Sequence, residues 1–300
     1  MVEPTVISTF AGTGGSSLGY KWAGFKELLA IDFDAHAVEC FRLNFPEVPV
    51  WHKSVTDITG DQILKFCNIK KGELDVFDGS PPCQGFSTAG KREVSDPRND
   101  LFKHYVRLIG ELEPKVFVME NVTGMAKGKM RGKFIEIIKE LKALNYNVKC
   151  KKLNAMWYNV PQSRERLIFI GVRKDLNRAP TYPRPSSKVI SIKDIDPTFN
   201  RKVVSFRVKG GDHQLSSVHK PAPAIMKDGG HTILNGKQEP FPLDLCKQLC
   251  SFPVAWKLSG NRAQQYARLG NAVMPKFMQA IAETIKHEIL DTKETAKASR

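Results

Sequence analysis

The chain has 300 residues, 41% hydrophobic and 26% charged, a globular composition that excludes a disordered, collagenous or disulfide-scaffold protein. No apolar run reaches the roughly 18 residues of a membrane-spanning helix, and Met1-Val2-Glu3-Pro4 lacks the basic-then-apolar start of a secretory signal, so a cytoplasmic chain without a membrane partner is expected. Lys and Arg number 46 against 31 Asp and Glu, and the net charge of +15 points to a polyanionic partner, with a merely solubilising surface as the plain alternative.

Thr5–Thr9 reads as a short buried strand, followed by the turn Phe10-Ala11-Gly12-Thr13-Gly14-Gly15 and a helix over about 16–23. Leu28–Ile31 is a second buried run ending at Asp32, and residues 35–44 read as helix. Leu74–Phe77 is a strand that leads into Pro81-Pro82-Cys83. Residues 100–112 place Leu101, Tyr105, Leu108 and Leu112 on one helical face. Val116–Met119 is a strand ending in Glu120-Asn121-Val122, 134–144 an amphipathic helix, and 166–172 a strand. Strands alternating with helices predict an α/β fold built on a doubly wound, mostly parallel sheet.

The texture changes after about Asp175. Eight of the 18 prolines fall between 180 and 242, and Gly210-Gly211 and Gly229-Gly230 add turns, so long helices are not expected there. This predicts a smaller irregular domain over 175–255 and a return linker over 256–264. Regular structure resumes near Lys276 in a helix marked by Phe277, Ile281, Ile285 and Ile289, and the tail 291–300 is polar and frayed. The main domain would then comprise 1–174 and 265–290.

A glycine turn between strand and helix lets a ligand approach backbone N–H groups at the positive end of the helix. The pattern here, Gly12-x-Gly14-x-x-Ser17, misses the third glycine of the dinucleotide fingerprint. Asp32 lies where a carboxylate can accept from ribose hydroxyls. The pair fits an adenosine-containing cofactor without separating a nicotinamide dinucleotide from S-adenosylmethionine, and a purely structural turn stays open. The six cysteines form no Cys-x-x-Cys pair, and neither Cys246 and Cys250 nor His213, His219 and His231 have ligand spacing, so a reduced chain without a metal site is expected. Cys83 differs from the rest. Stiff prolines carry it to the carboxyl end of the sheet, where α/β sites form, and a thiolate there could be a nucleophile or simply a buried loop cysteine. Glu120 also leaves a strand end among apolar residues, as a proton donor or a helix-capping acid.

Taken together these segments resemble the cytosine-C5 DNA methyltransferase family over almost the whole chain, in the family's order. Phe10–Gly15 resembles its cofactor loop, Pro82-Cys83-Gln84 its nucleophile motif, and Glu120-Asn121-Val122 its acid motif. Gln162-Ser163-Arg164-Glu165-Arg166 resembles its Gln-x-Arg-x-Arg motif and Gly270-Asn271-Ala272-Val273 its last motif. The resemblance implies S-adenosylmethionine as methyl donor and no metal. It implies Cys83 as nucleophile toward cytosine C6, Glu120 as acid at N3, Arg166 at the cytosine O2 and Arg164 as its catalytic neighbour. It places cofactor contacts at Phe10, Gly12, Gly14, Asp32, Phe33, Asp57, Ile58, Pro82, Leu101 and Asn271, with Asp32 on the ribose, Phe33 against adenine and Asp57 at its amino group.

The implied partner is double-stranded DNA with the target base rotated out of the helix, and a bacterial or phage restriction-modification setting, with a cognate endonuclease reading the same site and a monomeric enzyme. Residues 84–99 are expected to close over the base, turning Gln84, Ser87, Lys91, Arg92 and Arg98 toward the nucleic acid. In 201–237, seven Lys/Arg stand against Asp212 and Asp228, and Arg207, Lys209 and Gln214 are candidate DNA contacts. The nine Lys/Arg of 127–152 read first as a solvated helix face. One departure stands out. Pro240–Pro253 keeps the hydrophobic shape of the family's penultimate motif without its Arg and Glu, which questions how the small domain is anchored. A tRNA cytosine methyltransferase and a catalytically silent DNA-binding relative are the alternatives. The Gln-Gly-Phe-Ser that follows Cys83 is more like the DNA branch, and the presence of Cys83, Glu120, Arg164 and Arg166 weighs against a silent protein.

Overall fold

The computed structural model describes residues 3–82, 101–126, 131–198, 203–207, 213–227, 231–234 and 237–291. Cys83, Gln84, Ser87, Lys91, Arg92, Arg98 and Lys209 lie outside them, as does the tail from 292. The chain opens with β1 (Thr5–Thr9), α1 (Gly15–Trp22), β2 (Lys26–Asp32), α2 (Ala35–Asn44), β3 (Val50–His52), α3 (Gly60–Cys67) and β4 (Val76–Gly79). It continues through α4 (Leu101–Leu112), β5 (Val116–Val122), α5 (Arg131–Ala143), β6 (Tyr146–Asn154), β7 (Gln162–Ser163) and β8 (Glu165–Arg173). Seven of these strands form one sheet in the order β3-β2-β1-β4-β5-β8-β6. Neighbours from β3 to β5 pair in parallel, and β8 runs antiparallel to both β5 and β6. The sheet is therefore mixed but mostly parallel, as the strand–helix alternation predicts.

Period-two alternation splits the core into two layers. Val6, Ala30, Val76, Val118, Ile168 and Ile170 point to the face covered by α1 and by α9 (Pro275–Ile285). Ile7, Leu29, Ile31, Phe77, Phe117, Met119 and Phe169 point to the face covered by α3, α4 and α5. At the pairing of Phe117 with Gly171 a larger residue would not fit, because a Cβ on Gly171 would lie 1.9 Å from the Phe117 ring. The helix α4 sits with Leu108 and Leu112 fully buried. Its Tyr105 ring stacks on Phe77 at 5.1 Å, and its hydroxyl is shared between the carbonyls of Phe77 and Val118.

The basic stretch 127–152 is only partly a helix face. The helix α5 takes Arg131–Ala143, whereas Lys149, Lys151 and Lys152 are exposed on β6, the edge strand of the sheet. Edge strands carry lysine to discourage pairing with another chain, and this obscured the strand period.

Beyond the main sheet lie α6 (Ile192–Ile195), β9 (Val203–Arg207), β10 (His213–Ser217), β11 (Ala222–Pro223), β12 (His231–Leu234) and β13 (Lys237–Pro240). Four of these strands make an antiparallel sheet in the order β10-β9-β12-β13, and β11 pairs with β7 in parallel. Arg207 stands opposite His213, and Gln214 opposite Phe206. Helical structure resumes earlier than the expected 276. α7 (Leu243–Leu249) and α8 (Arg262–Asn271) precede α9. The helix α8 has little apolar content to betray it, but Asn261 and Gln264 form a capping box at its start. The last helix returns to the first, and Lys286 Nζ donates to the Ala23 carbonyl at 3.0 Å.

The segment that lacks the family's Arg and Glu is nonetheless firmly docked. Leu245, Cys246, Leu249 and Cys250 of α7 and its end are buried, and the Tyr266 hydroxyl donates to the Phe241 carbonyl. Lys247 Nζ binds Asp244 Oδ1 at 3.0 Å and the Val254 carbonyl at 2.9 Å.

Candidate active site

The carboxyl ends of β1, β2, β4 and β5 open on one edge of the sheet, and antiparallel β8 starts there. After β1 the chain turns sharply, with Phe10, Gly12 and Gly14 at φ of 55°, 57° and 89°. Gly14 is the N-cap of α1, and a Cβ there would lie 2.5 Å from the Phe45 ring, so glycine is needed both for its angle and for space. The N-cap of α1 makes no side-chain hydrogen bond and no acid occupies its first turn, so the positive end of this helix has no countercharge of its own among the described residues.

Asp32 ends β2, and its two oxygens accept from Gly12 N at 2.8 Å and Asp34 N at 2.9 Å. Burial pushes its carboxyl above the usual carboxylate range, against the pull of those two N–H groups. Each oxygen keeps a second lone pair for a ligand hydroxyl. Phe33 is 64% exposed, the most exposed large apolar side chain among the described residues. The Lys53 N–H binds the Asp32 carbonyl and leads into the loop holding exposed Asp57. Arg107 of α4 locks that loop, donating to the carbonyls of Val55 and Ile58 at 3.0 and 2.9 Å. The Ile58 side chain is core, Leu101 and Pro82 are half-buried, and Asn271 is exposed at the end of α8. An outward aromatic face, a carboxylate beside it and an uncapped helix start together fit an adenosyl group bearing a carboxylate.

The other half of the candidate site forms at β5 and β8. Register sets Ile168 opposite Glu120 and Arg166 opposite Val122, so Arg166 is the diagonal neighbour of Glu120 on the same face. Arg166 Nε meets Glu120 Oε1 at 2.6 Å, with the two side chains only 15% and 12% exposed. Asn121, buried, donates from Nδ2 to the Pro81 carbonyl at 3.2 Å. The acid strand is thereby tied to the prolines that lead to Cys83.

Gln162, Arg164 and Arg166 alternate along one direction of the chain, and the first two serve packing. Gln162 Oε1 accepts from Ile225 N at 3.1 Å, while its Nε2 donates to the Leu249 carbonyl at 3.3 Å. Arg164, 5% exposed, donates to the carbonyls of Ile225, Gly270 and Ala272 at 3.2, 2.8 and 3.4 Å. Burial, with the Arg166 charge beside it, lowers its guanidinium to about 9, which leaves it cationic at neutral pH. The motif thus joins β11, α7 and the end of α8 to the strand that carries Arg166.

Some site residues had no visible signal in the sequence. Trp256, in the stretch expected to be a linker, is buried and donates from Nε1 to Thr13 Oγ1 at 3.2 Å in the glycine loop. Arg107, Asn121 and Arg268 likewise act through carbonyls or carboxylates far away in sequence. Only Asn121 sat inside a motif.

The family described as C-5 cytosine-specific DNA methylase matches residues 4–205 and 213–287. The chain is 34% identical over 327 residues to the Type II methyltransferase M1.HphI of Haemophilus parahaemolyticus, covering 94% of this chain and 86% of that protein. It is 44% identical over 190 residues to the Type II methyltransferase M.XorII of Xanthomonas oryzae pv. oryzae, a match spanning 63% of this chain and 45% of M.XorII. A prophage-encoded candidate DNA modification methyltransferase from E. coli shares the fold, with a TM-score of 0.79 at 21% identity over 96% of this chain and 100% of that one. With its acid, arginine and cofactor-loop motifs gathered on one sheet edge, this chain belongs to the C-5 cytosine-specific DNA methylase family.

Proposed function

We propose that the chain transfers a methyl group from S-adenosylmethionine to C5 of a cytosine rotated out of duplex DNA, within a short specific sequence. The observation that carries this is the Glu120–Arg166 pair at 2.6 Å, tied through Asn121 and Pro81 to the approach to Cys83. Cytosine C5 is a weak nucleophile and must be activated. The Cys83 thiolate bonds to C6 while Glu120 gives a proton to N3, so ring electrons gather at C5. Arg166 holds the ring O2 and offsets charge developing there. When bound, S-adenosylmethionine supplies the electrophilic methyl that C5 takes up. The C5 proton then departs to solvent, the sulfur leaves C6, and N3 returns its proton to Glu120.

On the cofactor side Asp32 accepts from the ribose hydroxyls, Phe33 packs on adenine, Asp57 accepts from its amino group, and the uncapped start of α1 receives the carboxylate. The small sheet and the basic segment 201–237 read the sequence, with Arg207, Lys209 and Gln214 at the DNA. Curated relatives that are Type II methyltransferases support a restriction-modification setting, with a cognate endonuclease as partner. Among the described residues no helix is long and apolar enough to cross a membrane.

Duplex DNA carrying 5-fluorocytosine at the mapped target tests the reading, because fluorine cannot leave as a cation and the Cys83–C6 bond persists. Wild type should be trapped and Cys83→Ser should not. Failure of wild type to trap, or methyl transfer into tRNA but not DNA, overturns the proposal.

A further inference from the structure

Arg268 lies in α8 three residues before Asn271, so the two side chains share one face of that helix. Its Nη2 donates to Asp34 Oδ2 at 2.7 Å, joining segments 234 positions apart. The other oxygen of Asp34 accepts from Ala37 N at 3.0 Å and caps α2. The Asp34 N–H donates to Asp32 Oδ1, and Asp32 Oδ2 accepts from Gly12 N. One continuous chain of hydrogen bonds therefore runs from α8 through the β2–α2 turn to the glycine loop. The Arg268 Nε is buried without a partner among the described residues, so Asp34 is the carboxylate to which this guanidinium is committed.

Other contacts hold the same seam. Gln264 Nε2 meets His36 Nε2 at 3.0 Å, Ser259 N donates to Cys40 Sγ at 3.2 Å, and Trp256 binds Thr13. These contacts join α8 and the segment before it to α2 and the glycine loop independently of Arg268. We propose that Arg268 is a positioning residue for the cofactor: through Asp34 it holds Asp32 and Asn271, on two distant segments, in one fixed relation. This rests on the reading that Asp32 and Asn271 hold S-adenosylmethionine. The charged groups facing Asp32 are Asp34 on its own turn, which disfavours its ionised form, and Arg268 from α8, which favours it.

The test is equilibrium binding of S-adenosylhomocysteine, measured calorimetrically without DNA, to wild type, Asp32→Ala, Arg268→Gln, Arg268→Lys, Asp34→Asn and the double variant Arg268→Gln/Asp34→Asn. Asparagine keeps the cap on α2 but removes the charge that Arg268 meets. Arg268→Gln and Asp34→Asn should each weaken binding roughly tenfold, as expected for one charge-assisted bond. The double variant should be no weaker than either alone, and Arg268→Lys should recover part of the loss. The acid limb of binding should move to higher pH in Arg268→Gln, because Asp32 loses its neighbouring positive charge. A merely structural role would lower the melting temperature without moving that limb. Unchanged affinity in Arg268→Gln, additive losses or an unmoved acid limb overturn the proposal. If Asp32→Ala itself binds like wild type, the underlying reading of the cofactor site fails instead. Should Arg268→Gln not fold, Asp34→Asn and Arg268→Lys carry the same comparison.

Discussion

Glu120 is held by a guanidinium at its side and by the end of a central strand beneath it, so its position does not depend on a flexible loop. A glutamine there keeps the shape but has no acidic proton to give. Glu120→Gln should slow the chemical step by on the order of a hundred- to ten-thousand-fold, measured by single-turnover methyl transfer. A loss below about fivefold would assign Glu120 to packing. Asp78 presents a different case. It is buried in β4 and accepts from the Tyr20 hydroxyl at 3.3 Å, and burial raises its carboxyl to about 8. The folded chain therefore keeps a proton that the unfolded chain releases above about pH 4, and stability contributed by this group falls as pH rises from about 4 through 8. Glu27, raised to about 7 by burial, adds a slope of the same sign. Calorimetric melting between pH 5 and 8 should show a decline that Asp78→Asn makes shallower. An equal slope in the variant would mean that Asp78 is ionised in the folded state throughout.

Among the elements, β8 does the most, since it lines the acid strand and anchors β6. Its Gly171 leaves room for the Phe117 ring, which also meets Tyr146 of β6 edge-on at 5.3 Å. Gly171→Ala should lower stability by roughly 1–3 kcal/mol, because two central strands must part to admit a methyl group, and urea unfolding would measure it. A change within about 0.5 kcal/mol would show that the Phe117 ring yields freely. The elements differ in how plainly they were written. The helix α4 was legible because Leu101, Tyr105, Leu108 and Leu112 repeat at helical spacing around a buried face. β6 was not, because its inward residues are separated by lysines that suit an unpaired edge. α8 was hidden because polar contacts, rather than an apolar stripe, hold much of it in place.

For the molecule as a whole, the net +15 should show in binding to duplex DNA without the target site. Affinity should fall steeply between about 50 and 200 mM salt, with a log–log slope near 0.9 for each phosphate neutralised. A flat response would say that the lysines and arginines never meet the backbone. Exchange of 175–255 for the matching segment of a relative of known specificity should carry the methylated sequence with it, as read by bisulfite sequencing. Retention of the parent's sites would move recognition to the segment after Cys83.

By itself the sequence determined five of the main-sheet strands and the helices α1, α2, α4 and α5, but not β3, α3 or β6, together with the residues that end those strands. These are local properties, since burial period, turn glycines and the reactive groups at strand ends are written within a few positions. The tertiary structure decided which of those groups meet. Arg166 reaches Glu120 because antiparallel register makes them diagonal neighbours. Arg164, two residues away in the same motif, turns instead to the carbonyls of Ile225, Gly270 and Ala272. Trp256 and Arg268 reach the glycine loop and the β2–α2 turn from the far end of the chain because α9 folds back on α1 and carries the preceding segment across α2. Such pairings depend on long-range packing of faces that no spacing along the chain can encode.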